Sequence, residues 1–82
     1  MSKALIEQGA LAKAWRERRG LSRPALGALI GYSPSEIECM ERGFRRNSGA
    51  PIAARDFQTY KLACAAVAAQ ISFDWGEVTI RL

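Results

Sequence analysis

Cys39 and Cys64 are the only thiols in this sequence, and no histidine accompanies them. Without histidine the usual metal partner and the usual general base are both missing, so a Cys/His zinc site is not available. Two unaccompanied cysteines in a chain with no secretory signal read as free thiols. No nucleophile–base pair and no metal constellation stands out, so neither catalysis nor a cofactor is expected. The residues that can do chemistry are cationic instead. Residues 1–50 hold nine Lys/Arg against five Asp/Glu, whereas residues 51–82 hold three of each, for a net charge of +4. A basic front half suits an anionic partner, nucleic acid being the commonest.

Those charges need elements to hold them. A chain of 82 residues supports one small core, and its 49% hydrophobic and 24% charged content is that of a globular protein. Leu11, Ala14 and Trp15 recur at helical spacing within residues 10–19, and Gly20 stops that helix. Gly9 leaves two readings open for residues 2–9, an extension of the helix or a loose arm. Ser22 suits the cap of a second short helix, with Pro24 in its first turn, apolar Ala25, Leu26, Leu29 and Ile30, and Gly31 at its end. The succession Ser33, Pro34, Ser35, Glu36 is a compact helix start: a cap, a proline suited to the first turn, and a glutamate that closes a capping box. The third helix places Ile37, Met40 and Glu41 on one face, and Gly43 ends it. An irregular stretch over residues 44–51 precedes a fourth helix from about 53 to 69, with Phe57, Tyr60, Cys64 and Val67 on its inner stripe. Trp15, Phe57 and Tyr60 read as core. In the last twelve residues Ile71, Phe73 and Trp75, then Val78, Ile80 and Leu82, alternate with polar side chains. Period two predicts a strand, or a hairpin turning at Asp74, Trp75 and Gly76.

Two short helices joined by a tight glycine turn form the core of a helix-turn-helix, with Gly27 small enough for the second and third helices to approach. The run Arg16, Gly20, Leu21, Ser22, Arg23, Leu26, Gly27, Ile30, Gly31, Tyr32, Ser33, Ile37, Met40, Glu41, Arg42, Gly43 resembles the Cro and phage-repressor (XRE-type) helix-turn-helix family over residues 10–68. Arg23 stands where that family usually has glutamine and Gly27 where it usually has alanine, and the loop after Gly43 is longer than usual. The fold class expected is all-α, a four- to five-helix bundle containing a helix-turn-helix, with a short C-terminal β-strand or hairpin. The resemblance implies that the third helix reads double-stranded DNA, so Pro34, Ser35, Glu38 and Cys39 would meet base edges. Glu38 can accept from cytosine N4, and Pro34 and Cys39 offer apolar contact to a thymine methyl. Arg23, Ser33, Arg42, Arg45, Arg46 and Asn47 would hold phosphates, which position a protein without specifying sequence. The resemblance further implies an ion pair between Arg16 and Glu41 that braces the third helix.

The organisation expected is a helix-turn-helix DNA-binding domain over residues 1–70 and a dimerisation segment over 71–82. Val78, Ile80 and Leu82 would lie at a homodimer interface on a palindromic operator. The alternative is that the tail folds back over its own helices. A cytoplasmic transcriptional regulator, acting as a repressor, is the leading expectation. An antitoxin-like partner of a toxin is the second, and a protein-interaction module that has lost DNA binding the third. No stretch is long and apolar enough for a membrane span.

Overall fold

The computed structural model describes residues 3–81, so Ser2 and Leu82, on which two expectations fall, lie outside the described residues. Four helices and one hairpin follow in chain order: α1 (Lys3–Arg18), α2 (Arg23–Ile30), α3 (Pro34–Arg42), α4 (Ala54–Ala69), β1 (Ile71–Asp74) and β2 (Glu77–Ile80). The bundle therefore has four helices among the described residues, and the tail is a hairpin rather than a single strand.

Gly9 does not break the first helix. A glycine inside a helix costs about 1 kcal/mol relative to alanine, yet α1 runs straight through it. The reason is a crossing of backbones: a Cβ on Gly9 would lie 2.5 Å from the Glu41 carbonyl oxygen and 2.6 Å from that of Met40. Only a residue without a side chain lets α1 ride this closely over the end of α3. Residues 3–9 are thus helix, and the loose-arm reading is set aside.

The turn between α2 and α3 is built from local rules. Ser22 Oγ accepts the Ala25 N–H at 3.1 Å, and Gly31 closes α2 in the left-handed region at φ 77°, its N–H reaching the Gly27 carbonyl at 2.8 Å. A side chain on Gly27 would collide with the Tyr32 carbonyl oxygen. This turn folds back on α2 more tightly than an alanine at that position permits. At α3, Ser33 Oγ accepts the Glu36 N–H at 3.1 Å while the Glu36 carboxylate accepts the Ser33 N–H at 3.0 Å, a complete capping box.

Between α3 and α4 the chain makes a closed loop. Phe44 bridges Pro51, and the Arg45 N–H donates to the Ala50 carbonyl at 2.7 Å. The loop delivers Ile52, whose side chain is almost wholly buried, into the core beside Leu26, Ile37, Met40, Phe57 and Tyr60. Burial of each large aliphatic side chain in this set stabilises the fold by about 1.5–3 kcal/mol. Trp15, Cys64 and Val67 were expected inside; all three are half-buried and pack against the margin of the core.

The hairpin pairs Ile71 with Ile80, Ser72 with Thr79, Phe73 with Val78 and Asp74 with Glu77. Side chains alternate across a strand, so Ile71, Phe73, Val78 and Ile80 share one face. Trp75 is not on that alternating row. It sits at φ 47° in a two-residue turn with Gly76 and is 90% exposed. Two-residue hairpin loops that match strand twist favour positive φ, and here Trp75 adopts it. The Arg81 N–H donates to the Gln70 carbonyl at 3.0 Å, fastening the hairpin's end to the end of α4.

Candidate nucleic-acid interface

The inner face of α3 is fixed by Ile37, Met40 and Glu41, all buried. Helical spacing then turns Ser35, Glu38 and Arg42 outward on the opposite face. Pro34 and Ser35 are fully exposed and Glu38 is partly so. Cys39 is half-buried and packs against the core margin.

Cations flank this face on both sides. Arg23 shares a shallow depression with Pro34, Ser35 and Glu38. A second depression joins Ser35, Glu38 and Cys39 to Arg45, Arg46 and Asn47 of the closed loop. Ser35 and Glu38 therefore sit between basic groups from α2 and from the loop. The long loop is closed by the bridge between Phe44 and Pro51 and shares the second depression with α3.

The arginines are held by carboxylates. Arg42 Nη2 donates to Glu38 Oε1 at 2.5 Å, Arg46 lies 3.7 Å from the same oxygen, and the Arg42 guanidinium rests on the Phe44 ring at 5.5 Å. Arg45 reaches Asp56 at 3.5 Å. A guanidinium has five donors, so each retains hydrogens for a further acceptor. Arg46, with its side chain 70% exposed, is the most accessible of the group. Asn47 is exposed. The Ser33 hydroxyl accepts from the capping box and keeps its own hydrogen to donate.

Beneath the outer face of α3 lies a buried ionic joint. Arg16 Nε donates to Glu41 Oε2 at 2.6 Å and its Nη2 to Oε1 at 3.1 Å, a bidentate pair. Arg16 Nη1 also donates to the Leu21 carbonyl at 2.8 Å. Arg23 Nε adds a further bond to Glu41 Oε1 at 3.1 Å. One carboxylate thus ties α1, the α1–α2 turn and α2 to α3. Hydrogen bonding to Glu41 is the chief influence on Arg16, and it raises the guanidinium above its ordinary basicity.

Sequence reasoning missed three of these arrangements. Arg23 was read as a phosphate contact alone, whereas its Nε is committed to Glu41. The pairing of Arg45 with Asp56 was not foreseen, because no local pattern links positions eleven apart across an irregular loop. Ile52 was not identified as core; an isolated apolar residue between Pro51 and Ala53 carries no period.

Burial pushes the half-buried Cys64 thiol above its usual range, which disfavours the reactive thiolate. No group of three or more His, Cys, Asp or Glu able to hold a metal occurs among the described residues. Among the same residues no helix is long and apolar enough to cross a membrane.

Two short helices at a glycine turn, with the second presenting an outer face between arginines, define a helix-turn-helix domain. The chain belongs to the helix-turn-helix domain family, whose model matches residues 7–56. That match agrees with the resemblance to the Cro and phage-repressor group and suggests a DNA-binding regulator. No curated protein and no solved structure is a match.

Proposed function

We propose that the protein is a sequence-specific DNA-binding transcriptional regulator, a cytoplasmic repressor with no catalytic role, that inserts α3 into the major groove of a palindromic operator. The observation that carries this reading is the position of Ser35 and Glu38 between Arg23 on one side and Arg45, Arg46 and Asn47 on the other. A major groove about 12 Å wide admits one helix and leaves phosphates on each rim. Pro34, Ser35, Glu38 and Cys39 face the bases in this arrangement, while Arg23, Ser33, Arg42, Arg45, Arg46 and Asn47 face the rims. The pairing of Glu38 with Arg42 and Arg46 offsets the repulsion that a bare carboxylate would feel between two phosphate rows. Two copies joined through Val78 and Ile80 of the hairpin read the two half-sites.

A mobility-shift titration against the DNA flanking its own gene tests this reading. With about five phosphates neutralised per half-site, log K falls against log salt with a slope of about −4 to −5 per protomer. Arg46→Ala lowers the magnitude of that slope by about one and weakens all sequences alike. Glu38→Gln changes preference at a single base pair. A salt slope near zero overturns the assignment.

A second reading rests on the exposed apolar hairpin, where Phe73 and Val78 are each about three-fifths exposed. In an antitoxin-like protein that face seats a toxin instead of a second copy. A stable 1:1 complex with the product of an adjacent gene, lost on Phe73→Ser, would favour it.

A further inference from the structure

Between α1 and α4 runs a groove of about 350 Å³, walled by Leu11, Trp15 and Phe57 and lined also by Tyr60. Among the described residues no carboxylate lines it, and Lys61 is its one charged residue. Lys61 forms no ion pair among the described residues. The groove plays no part in the α3 face, which is lined by a different set of residues. Its volume falls within the range of small-ligand sites, roughly 300–1,000 Å³, and such sites combine apolar walls with a few polar anchors.

Two more features tie it to the rest of the fold. Tyr60, which lines it, is buried, and its hydroxyl has the Cys64 thiol as a hydrogen-bonding neighbour. The Tyr60 ring also meets Tyr32 edge-on, with ring centroids 5.4 Å apart. Tyr32 belongs to the α2–α3 turn, where its N–H donates to the Gly27 carbonyl at 3.2 Å. Tyr60 thus lines the groove and also contacts the turn between α2 and α3.

We propose that this groove binds a small amphipathic anion, its aromatic or short aliphatic tail against Trp15 and Phe57 and its carboxylate on Lys61. Charge complementarity selects the class: a lone cation beside apolar walls, with no acid to compete for it. The proposal stands apart from the DNA reading, since binding is measured on the protein alone.

The test is calorimetric titration with 4-phenylbutyrate and its neutral counterpart 4-phenylbutanol, followed in parallel by Trp15 fluorescence in a Trp75→Phe chain. The acid binds saturably at one site per chain, about fivefold more tightly than the alcohol, as expected for one exposed ion pair. Lys61→Gln removes that advantage and leaves alcohol binding unchanged. Ala65→Leu with Ala68→Leu, which fills the groove from exposed helix positions, abolishes binding of both while the helical circular-dichroism signal is kept. The proposal is overturned by absence of saturable binding, by equal affinity for acid and alcohol, or by insensitivity to Lys61→Gln. It is also overturned if affinity drops as protein concentration rises and recovers with Phe73→Ser, because the groove is then filled by the hairpin of a second copy.

Discussion

Glu41 is the residue on which the placement of α3 depends most. Its side chain is 2% exposed and both oxygens are engaged, by Arg16 and by Arg23. Removing one partner of a buried pair strands the other charge, at a cost of about 3–5 kcal/mol. Arg16→Ala leaves Glu41 with only the half-exposed Arg23, so the expected loss is toward the lower end, about 3 kcal/mol. For a domain of this size each 1 kcal/mol shifts Tm by about 4–8 °C, so the midpoint falls by more than about 10 °C. An unchanged midpoint in a thermal scan discards the brace. Glu36 makes the opposite case, an exposed carboxylate doing local work. Hydrogen bonding to Ser33 holds its carboxyl below the ordinary glutamate range. A folded pKa below the unfolded one means stability that is present above the unfolded value of about 4.3 and lost as pH falls through the lower folded value. Glu36→Gln keeps an acceptor for the Ser33 N–H but cannot be protonated. Its Tm therefore declines less steeply than that of the parent below about pH 5, and parallel acid limbs would show that the capping carboxylate is not linked to folding.

At the scale of elements, the junction of α1 with α3 decides whether the helix-turn-helix is rigid. Gly9→Ala raises helix propensity by about 1 kcal/mol in isolation. Here the new Cβ meets two carbonyl oxygens of α3, neither able to swing aside as a side-chain tip would. Overpacking of this kind costs about 1–3 kcal/mol, so the net effect is a lower urea midpoint despite the better helix former. A higher midpoint would mean that α1 does not cross α3 this closely. The same junction shows what could be read from the sequence. Ser22, Ser33 and Glu36 act within four residues of their partners, so the limits of α2 and α3 were legible from capping chemistry. The glycine ends at Gly31 and Gly43 were legible for the same reason. Gly9 was ambiguous because its justification lies in Met40 and Glu41, some thirty residues away. Ile52 and the Arg45–Asp56 pair depend on how an aperiodic loop closes, which no spacing rule encodes. Trp75 stood in both readings of the tail, on the alternating row of a strand or in the turn of a hairpin, and the turn claims it.

At the scale of the whole molecule, the unresolved demand is apolar surface left in water. Ile71, Phe73, Val78 and Ile80 are each between 40% and 60% exposed on one face of the hairpin. Leu29, 61% exposed, lines the depression where the ends of α2 and α4 meet the hairpin root. An isolated two-stranded hairpin is marginal in water, and α4 is the bundle element this one packs against most closely. A standard protein interface covers about 800 Å² per partner, and the exposed apolar side chains of the hairpin and Leu29 are the natural centre of one. A second copy related by a two-fold axis would cover the same patch on both chains, and would set two α3 helices about 34 Å apart for successive turns of DNA. Truncation after Gln70 removes the patch but none of the buried core, so the shortened chain is expected to fold and to sediment as a monomer where the parent sediments as a dimer. Its salt slope on operator DNA would fall to about half, since only one set of arginines is delivered per binding event. A truncated chain that remains dimeric places the two-fold axis elsewhere on the bundle; a parent that is monomeric at micromolar concentration leaves the hairpin face for a different protein.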